Sequence, residues 1–217
     1  MIKKNTKLRI YTSAFLFLLF FLIQNSNLIL IYTLIIFAIF SILEFLQIYN
    51  KIFTKIIFKY FFSFLSICYI FLFCYLFFFF ANTPQLKLFL YTLLIGCIAS
   101  DAGGFLIGKI FKGPKITKIS PNKTYSGAVG SILFSCAAIS LSFYIFTNTF
   151  TYIILILSIF TSLGCQLGDL FFSYLKRLAK IKDTGKILPG HGGILDRIDG
   201  LLLGIPIGFC ILILFYS

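Results

Sequence analysis

LILIYTLIIFAIFSILEFLQI, residues 28–48, runs for 21 positions with a single charged side chain, Glu44. A helix rising about 1.5 Å per residue needs roughly 20 residues to cross a hydrocarbon core of about 30 Å, so this stretch reads as a transmembrane span. Working outward, similar apolar runs recur at Leu8–Ile23, Tyr60–Phe80, Leu88–Ile107, Ala128–Phe146, Tyr152–Phe172 and Leu201–Tyr216. The chain is 60% hydrophobic and 19% aromatic, with Phe the commonest aromatic, which leaves too little polar surface for a soluble domain. The expected fold is all-α, a polytopic integral membrane helix bundle of about seven spans. The first span is short, and its basic start resembles a signal peptide. The run closes on Gln24-Asn25-Ser26-Asn27 with no small-residue cleavage site, so a retained helix is expected.

The connecting segments test that count. Lys and Arg concentrate in alternate segments, Met1–Arg9, Tyr49–Lys59, Lys109–Lys123 and Ser173–Arg197, whereas the intervening three hold only Lys87. Seven spans with a cytoplasmic amino terminus put every basic loop on the inner side. The net charge of +13 therefore reflects topology, and nucleic-acid binding is not expected. The six cysteines stand singly, with no CxxC pair or Cys/His cluster, which excludes a disulfide framework and a zinc site.

Every Gly lies at Gly96 or later, and so does every acid except Glu44. This asymmetry divides the chain into amino-terminal helices, 1–87, and an expected catalytic region, 88–217, with loops at 109–127 and 173–200. Asp101 and Asp169 sit within apolar spans, where a carboxylate costs about 2.5–3.5 kcal/mol on insertion scales and is read as functional. Asp196 and Asp199 are three apart and share a helical face. They follow Gly190-His191-Gly192-Gly193 and are surrounded by Lys176, Arg177, Lys180, Lys182 and Lys186. A helix starting near Ile194 would add its positive end for a phosphate. Carboxylates, cations and a glycine-rich turn together suit a magnesium–triphosphate complex; a solvated ion-pair cluster is the competing reading. Glu44 stays open between a helix contact and a site member. His191, the sole histidine, lacks partners for an acyl-transfer triad and reads as a ligand contact.

Two motifs mislead. Gly103–Lys109 has P-loop spacing, but Ile110 replaces the hydroxyl that binds magnesium, and no strand precedes it. Asp196-Arg197-Ile198-Asp199-Gly200 begins like the CDP-alcohol phosphotransferase motif and then continues with Leu201-Leu202-Leu203.

The stretch SYLKRLAKIKDTGKILPGHGGILDRID, residues 173–199, resembles the signature of the phosphatidate cytidylyltransferases. Gln166-Leu-Gly168-Asp169 and Ser120-Pro121-Asn-Lys123-Thr124 resemble the same family, and Asp101 occupies the place of its intramembrane aspartate. The resemblance covers about Asp101–Gly200. Departures are Ala102 and Gly104-Phe105 within the first aspartate motif, Ser126 where members often carry Glu, and a shorter chain expected to lack amino-terminal helices.

The resemblance implies transfer of a cytidylyl group from CTP to phosphatidate, giving CDP-diacylglycerol and pyrophosphate. It implies Mg2+, with room for a second cation, held by Asp169, Asp196 and Asp199. Asp101, Lys182 and Asp183 would complete the catalytic set. Ser120, Lys123, Lys176, Arg177, Arg197, Gly190, His191, Gly192 and Gly193 would contact substrate. The expected setting is the inner membrane, multi-pass, with the site at the cytoplasmic face, membrane lipids as partners and a homodimer as the assembly. A CTP-dependent transferase or kinase acting on another lipid phosphate or a polyprenol is the nearest alternative, and a transporter is a more distant one.

Overall fold

A computed structural model describes residues 4–117, 120, 123–185, 187 and 192–216. Among them the elements are α1 (Lys4–Asn25), α2 (Asn27–Ile52), α3 (Ile56–Asn82), α4 (Pro84–Phe111), α5 (Tyr125–Thr147), α6 (Tyr152–Leu178) and α7 (Leu195–Tyr216). Each helix coincides with one of the seven apolar runs and extends beyond it by up to six residues. The extensions take in polar ends such as Tyr49–Lys51 and Ser173–Arg177, which hydropathy alone trims. Six helices, α2 to α7, are long and apolar enough to cross a membrane. The expected count of about seven spans is therefore supported for six. The remaining helix, α1, opens among Lys4, Lys7 and Arg9 and closes on Gln24 and Asn25, leaving a short apolar stretch between them.

Local chemistry sets the boundaries. Thr83 precedes Pro84 at the first turn of α4, where a missing N–H costs nothing. Thr124 caps α5 by accepting from Gly127 N at 3.2 Å, and Asn148 closes it in the left-handed conformation.

The residues fall into two compact units, Met1–Asn82 with Leu175–Ile198, and Thr83–Tyr174 with Asp199–Ser217. In the first, α2 and α3 pack through aromatic contacts, with Phe53 stacked on Phe62 at 4.8 Å and the Tyr49 hydroxyl 2.7 Å from Ser66 Oγ. Ile31, Ile35, Ile39, Phe61, Phe64 and Phe71 stay exposed, which fits a surface solvated by lipid chains.

In the second unit α4 and α5 meet along a seam of small residues. A Cβ on Gly127 would fall 2.8 Å from the Gly104 carbonyl oxygen and 3.4 Å from Gly108 Cα. The Gly104-x-x-x-Gly108 spacing that mimics a P-loop is thus a close-packing face. Buried hydroxyls line the neighbouring contacts, including Ser100 and Ser162 at 2.9 Å.

Candidate functional site

Two clusters of charge emerge, one in each unit. In the Thr83–Tyr174/Asp199–Ser217 unit the loop after α4 turns through Gly113 at φ +105° and returns in an antiparallel bridge between Lys115 and Thr124. Ile116 N donates to Lys123 O at 3.0 Å, Tyr125 N donates to Pro114 O at 3.1 Å, and Lys123 N donates to Ser120 O at 3.1 Å. Ser126 Oγ adds a short bond to the Lys112 carbonyl. These bonds fix Lys123 beside the start of α5. Its ammonium lies 2.8 Å from Asp169 Oδ2, with each side chain 26% exposed.

Lys123 and Asp169 open on a cavity of about 230 Å³ together with Asp101, Thr124, Ser131 and Gln166. Gln166 is oriented by donating to Ala128 O at 3.3 Å. Asp101 and Asp169, the two acids placed inside spans by sequence, therefore share one cavity with a lysine. The approach of α7 to α6 brings Asp199 into the same neighbourhood. A Cβ on Gly168 would meet the Asp199 carbonyl, and one on Gly200 would lie 3.2 Å from Asp169 Oδ1. Asp199 Oδ1 accepts from Gly200 N at 3.0 Å.

In the Met1–Asn82/Leu175–Ile198 unit Lys176, in the last turn of α6, contacts Asp196 Oδ1 at 2.7 Å. These side chains are 14% and 7% exposed. Asp196 Oδ2 accepts from Thr184 N at 2.8 Å and Gly193 N at 3.1 Å, and Thr184 Oγ lies 3.1 Å away. Glu44, 1% exposed, receives Thr184 Oγ–H at 2.7 Å, Ile194 N–H at 2.9 Å and Leu195 N–H at 2.9 Å.

This arrangement corrects one expectation. Helix α7 starts where the glycine pattern placed it, but its first amides are not open to a phosphate, because Glu44 and Asp196 accept from Gly193, Ile194 and Leu195. First-turn N–H groups of a helix lack internal partners, and here a carboxylate meets Leu195 N, as carboxylates do Gly193 N and Ile194 N just before it.

Of the remaining candidates, Lys182, Asp183, Arg177 and Arg197 are exposed, Ser120 is half-buried, and Gly192 takes φ +86° close to Asp183. Gly190, His191 and Lys186 lie outside the described residues. Sequence reasoning passed over Thr184, which is 3% exposed between two carboxylates. Its position between Asp183 and Gly185 inside the signature was the available signal. Among the described residues, no three His, Cys, Asp or Glu side chains converge on a common point.

Fold and clusters together define a multi-pass helical membrane protein in which Asp169 and Asp196 are paired with lysines and Glu44 is bound by backbone amides. A family model described as the cytidylyltransferase family matches residues 1–215. The chain belongs to that family.

Several curated proteins are similar to it, each named phosphatidate cytidylyltransferase. The Mycobacterium leprae protein is 42% identical over 113 residues, covering 52% of this chain and 36% of the relative. The Rickettsia felis protein is 41% identical over 143 residues, 61% of each chain. The Helicobacter pylori protein is 44% identical over 113 residues, 52% of this chain and 42% of the relative. The matches thus span between 36% and 61% of the length of these relatives.

Proposed function

We propose that the chain transfers the cytidylyl group of CTP to phosphatidate, forming CDP-diacylglycerol and pyrophosphate at the cytoplasmic face of a cell membrane. The observation that carries this reading is the pairing of Lys123 with Asp169 on a cavity that Asp101 also lines, with the Asp199 backbone packed against Gly168. Family membership and the names of the relatives support it.

The nucleophile, a phosphate monoester, is already anionic at neutral pH, so no strong base is required. The obstacle is the approach of one polyanion to another. Lys123 supplies positive charge at the cavity, and Lys176, Lys182, Arg177 and Arg197 supply it around the 175–198 segment. Fixed cations of this kind neutralise and align phosphates for in-line displacement.

The donor chemistry fits magnesium, since α6 and α7 pack closely where they carry Asp169 and Asp199, and hard cations take oxygen ligands. Asp169 and Asp199 would hold the ion, which would supply charge neutralisation at the triphosphate when bound. Asp101 lends polarity at the headgroup end of the cavity, and Asp183 orients Lys182.

The test is pyrophosphate release from CTP by the purified protein in mixed micelles, with and without phosphatidate. Release is expected only with phosphatidate, and Asp199→Asn should abolish it while still inserting into membranes. A variant with full magnesium-dependent activity would refute the role of Asp199. Activity confined to another lipid phosphate or a polyprenol would reassign the acceptor.

A further inference from the structure

The only acid in the first three helices makes no ion pair among the described residues, yet it is almost fully buried. Such a carboxylate is retained only where donors compensate its lost hydration. Its donors come from 140 to 151 residues along the chain: the Thr184 hydroxyl and the backbone of Ile194 and Leu195. Helix N-termini are ordinarily capped by a side chain within three residues. Here the cap of α7 comes instead from the middle of α2.

We infer that Glu44 is a positioning residue for residues 182–185 and 192–196, fixing where α7 begins and how the Thr184 turn presents Lys182, Asp183 and Asp196.

Two glycines bear on this directly. A Cβ on Gly185 or on Gly193 would fall 2.6 Å from Glu44 Oε1. Both positions must therefore lack a side chain for the carboxylate to reach the backbone. Gly193, read from sequence as part of a glycine-rich turn for the triphosphate, serves Glu44 as well. Thr184 completes the link, since its backbone N–H holds Asp196 while its hydroxyl holds Glu44. The carboxylate that Lys176 neutralises is thereby tied to α2 through one residue.

The activity arm of the test rests on the cytidylyltransferase reading, whereas the exchange arm does not. Hydrogen exchange is measured on the full-length protein in lipid nanodiscs for wild type, Glu44→Gln, Thr184→Val and the double variant. In Glu44→Gln the amides of residues 192–196 should exchange about tenfold faster, because an amide side chain offers one acceptor where three donors converge. Exchange in α4 and α5 should not change. The KM for CTP should rise about tenfold with the KM for lipid unchanged, and Thr184→Val should add nothing in the Glu44→Gln background. A merely structural role would loosen α4 and α5 as well and lower both substrates' performance together.

Unchanged exchange at 192–196, or loosening everywhere, overturns the inference. If Glu44→Gln does not fold, Thr184→Val decides, and wild-type exchange and KM in that variant overturn the inference equally. A wild-type protein that releases no pyrophosphate sinks the activity reading alone, leaving the exchange result to judge Glu44.

Discussion

Replacing Lys123 with methionine keeps an apolar stem and removes only the ammonium that lies 2.8 Å from Asp169 Oδ2. At 2.8 Å and an effective dielectric of about 20, the attraction is roughly 6 kcal/mol before desolvation is counted. An exposed pair contributes about 0–1 kcal/mol net, and stripping one partner from a buried pair costs about 3–5 kcal/mol. With each side chain 26% exposed, the pair lies between these limits. Lys123→Met should cost about 2 kcal/mol, largely from leaving Asp169 without its cation in the cavity. For a chain of 217 residues that is a fall of about 4–8 °C in midpoint. The assay is thermal unfolding in detergent, followed by dye labelling of Cys97 and Cys165, each 1% exposed in the native fold. In Lys123→Met/Asp169→Asn neither charge is stranded, so the midpoint should return towards wild type while pyrophosphate release stays lost. A single variant as stable as wild type, or a double variant less stable than the single, would falsify the pairing argument.

Three further outcomes are expected. Gly127→Ala should lower the midpoint by about 2–12 °C, because its Cβ meets backbone at 2.8 Å across the α4–α5 seam and overpacking costs about 1–3 kcal/mol. Val129→Ala, at a position 58% exposed, should melt with wild type, and equal midpoints for both would refute the seam. Chelation of divalent cations should stop pyrophosphate release and added Mg2+ should restore it, whereas activity that survives EDTA would exclude the carboxylates as ligands. Single cysteines at Lys55 and Lys115 should react with an impermeant thiol reagent from the cytoplasmic side, and those at Ser26 and Asn148 from the other. Any mixed pattern overturns the topology read from the basic loops.

The helices were legible because hydropathy and charge alternate independently along the chain and agree. Their ends were not, since Tyr49–Lys51 and Ser173–Arg177 continue helical geometry after hydropathy has fallen. The intramembrane acids were legible for a thermodynamic reason. Asp101 and Asp169 are costly in lipid, and the structure places both on one cavity with Lys123. The partners of each acid were less accessible, because a long-range contact leaves no periodic trace. Nothing in the spacing of Lys123 and Asp169 announces their pairing across 46 positions. Thr184 looked like filler between Asp183 and Gly185, and Glu44 could not be assigned without knowing that α7's first amides needed an acceptor.

Those occupied amides change how an incoming phosphate is met. Backbone N–H groups at a helix start commonly bind anions, but here Gly193, Ile194 and Leu195 already donate to Glu44 and Asp196. A phosphate brought to that end would face two carboxylates. Recognition along this segment therefore falls to side-chain cations. Lys176 is committed to Asp196 at 2.7 Å, whereas Lys182 and Arg197 are exposed. Lys182→Gln should raise the KM for CTP about tenfold, the scale of one charge-assisted hydrogen bond of roughly 1.5 kcal/mol, and leave the melting midpoint unchanged. Gly193→Ala should do the reverse first, lowering the midpoint, because its Cβ would lie 2.6 Å from both oxygens of Glu44. If Gly193→Ala instead weakened CTP binding at full stability while Lys182→Gln bound CTP normally, the backbone rather than the side chains would be the anion's partner, and the positioning role of the α2 carboxylate would fail with it.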